Sequence, residues 1–166
     1  MYYRFGKVFH FISVLLFLFT FLYFYSAMPD VVAYELDENG YNSKEISKST
    51  FFYIGIILFA VLNLVMVTVS KLIENKSTKT FRQLFPSGDI FRDYMLTWTY
   101  SFTAIINISL AILTLFIHTI NNQNEISSGS YSLFFYLIPI LFVVWIIALF
   151  WILLQKFNSI RSNSTI

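Results

Sequence analysis

Apolar residues run almost unbroken through four stretches of the chain, residues 8–27, 51–70, 95–119 and 131–154, and charged residues gather between them. None of the four contains Asp, Glu, Lys or Arg. Each is close to the ~20 residues a helix needs to cross a ~30 Å hydrocarbon core. Hydrocarbon offers no water to backbone N–H and C=O groups, so segments of this kind must pair those groups internally, as helices. The pattern predicts an all-α integral membrane protein, a bundle of four transmembrane helices forming one membrane domain over 1–166. The connections are an outer loop at 28–50, an amphipathic cytoplasmic loop at 71–94 and a second outer loop at 120–130.

The first stretch begins like a secretory leader, with Arg4 and Lys7 ahead of an apolar run. Tyr25-Ser26-Ala27 is a poor small-residue cleavage site and the run is long for a leader, so a retained helix is expected.

Charge sets the expected orientation. Arg4 and Lys7 precede the first stretch, Lys71, Lys76, Lys79, Arg82 and Arg92 lie between the second and third, and Lys156 and Arg161 follow the fourth. The other two loops hold Lys44 and Lys48 against Asp30, Glu35, Asp37, Glu38, Glu45 and Glu125. Short loops rich in Lys and Arg stay in the cytoplasm, which predicts both termini inside. Tyr23, Tyr25, Tyr53, Tyr131 and Tyr136 then fall at the outer interface, and Tyr94, Trp98 and Trp151 at the inner one, as aromatic belts.

Composition narrows the function. The chain is 57% hydrophobic and 12% charged, which leaves no room for a soluble domain of useful size, and a net charge of +2 offers no footprint for nucleic acid. With no cysteine there is no disulfide, thiolate or sulfur-ligated metal. No paired carboxylates, nucleophile with a base, Gly-rich phosphate loop or metal-ligand spacing occurs, so neither an enzyme nor a cofactor is expected. Heavy use of Phe, Ile, Tyr, Asn, Lys and Ser points to an AT-rich bacterial genome, and hence to the bacterial cytoplasmic (inner) membrane.

The third stretch is the least lipid-like. Thr99, Thr103, Asn107, Ala111, Thr114 and His118 recur every three or four residues, a small and polar stripe over about a third of the helix circumference. Such a stripe is expected to face other helices, with hydroxyls and amides bonding across. Asn63 and Asn107 both fall near mid-membrane and are placed to pair. His10 and His118 lie near opposite ends of their helices, roughly 25 Å apart at ~1.5 Å per residue, so one iron cannot take both. Pro139 in the fourth stretch predicts a local opening closed by a neighbouring helix. Beyond it, the helix is apolar all round and suits lipid or an equally apolar partner.

In the loop at 71–94, Phe81, Leu84 and Phe85 at helical spacing, beside Lys79 and Arg82, predict a short interfacial helix on anionic headgroups. Pro86-Ser87-Gly88 ends it, and Ser87 or Asp89 is placed to cap the next helix.

The outer loop carries the most motif-like segment, Met28-Pro29-Asp30-Val31-Val32-Ala33-Tyr34-Glu35-Leu36-Asp37-Glu38-Asn39-Gly40. Asp37 to Gly40 reads as a turn. The segment resembles the DUF1648 family of small bacterial membrane proteins, whose loop runs Leu-Pro-x-x-Ile-Pro-x-His-x-Asn-x-x-Gly between two helices. Met28, Pro29, Val32, Asp37 and Gly40 are in register with it, over a likeness covering about residues 10–70. Ala33 stands where the family has its second proline and Glu35 where it has the histidine, so a role resting on that histidine does not carry over. The family includes part of bacterial immunity proteins that sense a secreted toxic peptide, and the resemblance implies sensing or bracing.

The function expected from these features is that of a non-catalytic accessory or scaffold subunit of a larger inner-membrane complex. Its partners would be lipids and other membrane subunits, with a homo-oligomer equally compatible. The rivals are a peptide-sensing or immunity-type protein acting through the acidic outer loop, and a small transporter or channel lined by the third helix.

Overall fold

A computed structural model of the chain describes residues 3–36, 42–75, 79–122 and 132–163, without the side chains of 36, 132–135, 162 and 163. In chain order the elements are α1 (Tyr3–Ser26), β1 (Val31–Leu36), β2 (Asn42–Ser47), α2 (Lys48–Asn75), α3 (Lys79–Leu84), α4 (Ile90–Asn121) and α5 (Ser132–Asn163). By length and composition α1, α2, α4 and most of α5 can each cross a membrane.

α2 and α4 begin ahead of their apolar stretches, where polar residues supply caps. Ser47 Oγ accepts the Thr50 N–H at 3.2 Å, starting α2 ahead of residue 51. Asp89 Oδ1 accepts the Phe91 N–H at 2.9 Å and caps α4, as its position predicts. The turn before it passes through Gly88 at φ 83°, a left-handed conformation that favours glycine.

The all-α expectation is corrected between α1 and α2. There β1 and β2 pair antiparallel, Val31 opposite Ser47, Val32 opposite Ile46 and Ala33 opposite Glu45, with irregular register beyond Ala33. The physical reason lies in Val31-Val32-Ala33-Tyr34. Its β-branched and aromatic residues favour strand, and outside the apolar spans its backbone groups still need partners.

α4 is the hub of the bundle, packing against α1, α2, α5 and β1, with its longest seam along α1. Buried residues go well beyond the predicted stripe: Leu96, Tyr100, Ala104, Ile105, Ile106 and Ser109 join Thr99, Thr103, Asn107, Ala111 and Thr114. A central helix must offer contact on most of its sides, which a one-third stripe does not provide. His118 departs from the buried set and remains half-exposed.

On α1 the buried positions are Gly6, Ser13, Phe17 and Phe21, one face at helical spacing. Phe17 stacks on Phe59 at 4.4 Å between ring centroids, and Phe21 on Phe51 at 5.7 Å, which joins α1 to α2. The apolar middles of α2 and α5 are both unburied, but α2 buries Phe51, Ser70 and Ile73 nearer its ends. No described residue of α5 is buried, and α5 touches the bundle mainly along α4. Pro139 is exposed, against the expectation of a neighbouring helix closed over it.

Opposing directions follow from the contacts. The start of α1, the end of α2, the start of α4 and the end of α5 meet at one end of the bundle, beside α3 (see Lys7, Glu74, Arg92, Asp89 and Lys156 below). The hairpin lies at the other.

Gly6 sets the α1–α4 separation, since a Cβ there would sit 3.1 Å from the Thr97 carbonyl oxygen and 3.2 Å from Tyr100 Cβ. Gly6→Leu therefore forces the two helices apart and is expected to lower stability by about 1–3 kcal/mol in thermal unfolding of the detergent-solubilised protein. Leu16→Ala, on the exposed face of the same helix, should change it little.

Candidate functional site

A ladder of polar side chains climbs from the α3 end to the middle of the bundle and stops there. At the base is Glu74, near the end of α2. Its carboxylate takes an ion pair from Lys7 on α1 and another from Lys71 at 3.0 Å, and the Tyr100 hydroxyl donates to it at 3.3 Å. Arg92 Nη2 donates to the Glu74 carbonyl at 2.9 Å, so α1, α2 and α4 are tied at one residue.

One turn beyond Lys7, the His10 Nε2 meets Asn63 Oδ1 at 3.0 Å. Asn63 Nδ2 donates to Asn107 Oδ1 at 2.7 Å, the pair foreseen from their matching depth. Asn107 Nδ2 reaches Ser13 Oγ at 3.1 Å, and Ser13 Oγ donates back to the His10 carbonyl at 2.7 Å. Asn107 and Ser13 are 0% and 1% exposed, so the amide of α4 is satisfied only by α1 and α2. Above them, Phe17 and Phe59 stack across the path.

The hydroxyls of the α4 stripe behave differently from expectation. Thr99 donates to the Leu96 carbonyl at 3.1 Å, Thr103 to Thr99 at 2.7 Å and Thr114 to Leu110 at 2.9 Å, all within α4. Threonine reaches the carbonyl one turn back without leaving its helix, whereas an amide has too many groups to satisfy that way. The threonines and Ala111 thus give closeness, and Asn107 gives the cross-link. His118 packs against Phe24 at 4.6 Å between centroids, far along α4 from His10's partner Asn63 and its neighbour Asn107. Among the described residues no cluster of His, Cys, Asp and Glu could hold a metal.

At the opposite end the hairpin is clamped to the hub. Asn121, in the last turn of α4, donates from Nδ2 to the Ala33 carbonyl and accepts the Ala33 N–H at Oδ1, each at 2.8 Å. The amide thus mimics a neighbouring strand along the edge of β1. Ala33 and Val32 are fully buried, and Met28 is 4% exposed, while Pro29 and Glu35 are exposed. Glu35 pairs with Lys44 at 2.6 Å, and Lys48 donates to the Met28 carbonyl at 2.6 Å. The clamp gives Ala33 a reason, since a proline there has no N–H for Asn121. Asp37, Glu38 and Gly40, with the expected turn, lie outside the described residues.

The interfacial segment forms α3 as predicted, carrying Lys79 and Arg82 on exposed positions. Leu84 is 54% exposed, but Phe85 is buried and stacks on Phe91 at 5.5 Å and Phe81 at 6.0 Å. Its apolar side is therefore divided between the bundle and the surroundings.

Sequence reasoning passed over Ser13, Glu74, Asn121 and the fastening of α5. Trp98 Nε1 donates to the Trp145 carbonyl at 2.7 Å, and Trp145 Nε1 to Ser101 Oγ at 2.9 Å. Trp98, expected in the inner belt, also links two helices. Lys156 closes the seam on Asp89 at 2.6 Å. The available signal was position: Asn121 and Glu74 are polar residues in the last turns of apolar helices, where a hairpin or a loop returns.

No family model, curated protein or solved structure matches the chain.

Two outcomes follow from these contacts. Asn121→Leu removes both bonds to Ala33 and leaves buried backbone groups unpaired, a loss of about 1–3 kcal/mol. Hydrogen exchange at Val32 and Ala33 should accelerate, with little change at Asn107. Asp89 gives a pH signature. The ammonium of Lys156 holds its carboxyl below the usual range. A carboxyl lowered on folding stabilises the fold above its unfolded value, about pH 3.9, and that contribution is lost as pH falls through the folded value. Acid titration of stability should therefore flatten below about pH 4 in Asp89→Asn, which keeps the Oδ1 cap on Phe91.

Proposed function

We propose that this is a non-catalytic multi-pass protein of the bacterial cytoplasmic membrane, with both termini inside, serving as an accessory or scaffold subunit of a larger membrane complex. Four apolar helices, and basic residues gathered at the α3 end, support the placement and orientation. The observation that carries the subunit reading is α5. In a bilayer, helices associate through close packing and interhelical hydrogen bonds, because lipid is as apolar as the side chains. The apolar middle of α2 is as unburied as that of α5, but α2 buries Phe51, Ser70 and Ile73 nearer its ends, whereas no described residue of α5 is buried. α5 is fastened through Trp145 and Lys156, and Ile147, Trp151, Leu154 and Phe157 remain more than half exposed. A second protein packed along that face supplies the contacts that α5 lacks within its own chain. The polar groups at mid-bundle bond one another, which fits a structural use better than chemistry.

Purification of the native protein in mild detergent, with mass spectrometry of what accompanies it, tests the reading. A stoichiometric set of larger membrane proteins is expected, lost on Ile147→Ala/Trp151→Ala while the protein itself persists. Recovery of the chain alone, or as a homo-oligomer, ends the subunit reading.

The Asn121 clamp favours a second reading, in which the hairpin senses an extracellular, cationic peptide, as the DUF1648 likeness implies. An exposed, acidic hairpin fastened to the hub helix is suited to relaying an encounter into the bundle. On that reading Glu35→Gln or Glu45→Gln abolishes the phenotype at unchanged protein level. Transport gains no such support, because the polar ladder ends against Phe17 and Phe59.

A further inference from the structure

Beneath the hairpin, residues of α1, α2 and α4 line an apolar groove of about 320 Å³. Phe21, 1% exposed, lies at its base, and the hairpin contributes Tyr34 and Ile46. Its flanks are Ile54, Leu58 and Leu113, exposed by 53%, 41% and 38%, so the groove is open to the surroundings sideways. Gly55 keeps it deep by leaving room for Phe21, whose Cε2 would be 2.5 Å from a Cβ at that position. Thr114 is the lone hydroxyl among the lining residues apart from Tyr34, and it is turned onto the Leu110 carbonyl.

We propose that this groove holds one acyl chain of a zwitterionic phospholipid from the leaflet on the hairpin side. The proposal rests on the membrane placement above and is independent of the subunit reading. An apolar cavity of about 150 Å³ accepts a benzene ring, so this groove, about twice as large, has room for a substantial length of hydrocarbon. Of the two lining hydroxyls, Thr114 is turned onto its own helix and Tyr34 is 42% exposed on the hairpin. The body of the groove between the helices therefore offers hydrocarbon contacts, and a groove left empty forfeits them. Within a bilayer the groove is continuous with the apolar belt of Ile57, Val61 and Leu64 on α2, so a chain can enter from the side. The preference for headgroup comes from charge. The lining residues Tyr34 and Ile46 are flanked in sequence by Glu35 and Glu45, and the described charges of the hairpin and its two ends are Asp30, Glu35 and Glu45 against Lys44 and Lys48. Glu35 and Lys44 cancel as an ion pair, and Lys48, donating to the neutral Met28 carbonyl, keeps its charge, so Asp30 and Glu45 against Lys48 leave one net negative charge. An anionic headgroup meets surplus carboxylate there, whereas the amine of a zwitterionic one is attracted to it.

The test uses full-length protein delipidated in detergent, its thermal unfolding followed as defined lipids are added. Phosphatidylcholine in large excess over its dissociation constant should raise the midpoint of wild type by roughly 5 °C or more. Phosphatidylglycerol should do much less, and glycerophosphocholine, which has no chains, nothing. Leu113→Trp places bulk in the groove and should lose the response, whereas Leu64→Trp, on the exposed belt outside it, should retain it. If Leu113→Trp does not fold, Leu58→Trp takes its place as the filled groove. An equal response in the groove and belt variants, or none in wild type, overturns the site. An equal response to phosphatidylglycerol overturns the headgroup preference. Failure of the membrane placement is separately visible, as protein that stays dispersed without detergent.

Discussion

Asn107 places one amide at the centre of the most buried helix, where its own helix cannot satisfy it and apolar surroundings offer nothing. A buried amide without partners costs several kcal/mol in an apolar medium, a penalty that selects among arrangements more sharply than greasy contact does. The partners come from both sides, Asn63 on α2 and Ser13 on α1. Meeting that demand fixes the rotation of α4 and the depth at which α1 and α2 stand beside it. His10 then completes the ring through Asn63 and through its own carbonyl. The individual bonds are modest, about 0.6–2 kcal/mol each in membrane helices, but together they exclude the rotations that would orphan the amide.

Both ends of the bundle repeat the device with different chemistry. At the α3 end, Glu74 gathers Lys7, Lys71, Tyr100 and the carbonyl-bound Arg92, and Lys156 fastens α5 to the capping Asp89. At the hairpin end, the Asn121 amide completes the edge of a strand. Polar fastening at three levels leaves the outward faces mostly apolar. On either proposed reading, α5 presented to a partner or the hairpin to a peptide, that division of labour leaves the presented surface free of the fastening groups.

Some of the site was legible in the residues. The matched depth of Asn63 and Asn107 foretold their pairing, Asp89 was placed to cap α4, and Phe81, Leu84 and Phe85 announced α3. The threonines misled, because their spacing was read as cross-helix bonding when each hydroxyl returns to its own helix. The hairpin was also missed, since Asn42-Ser43-Lys44-Glu45-Ile46-Ser47 has little strand character until Val31-Val32-Ala33 lies beside it. Asn121 gave only its position as a signal: a polar residue ending a helix is ordinary, and its partner is on the far side of α2 in sequence.

The sequence by itself determined the four apolar helices, the segregation of basic residues to alternate loops and the absence of sulfur chemistry. Those properties depend on local composition and on the rise of a helix, which need no knowledge of neighbours. The tertiary structure alone decided that α4 is the hub, that α5 is held at its margin and that a hairpin roofs an apolar groove. Apolar surface is non-directional and fits many bundles equally well, so the choice among them passed to a few directional groups. Their partners lie tens of residues away, and only the folded chain brings them together.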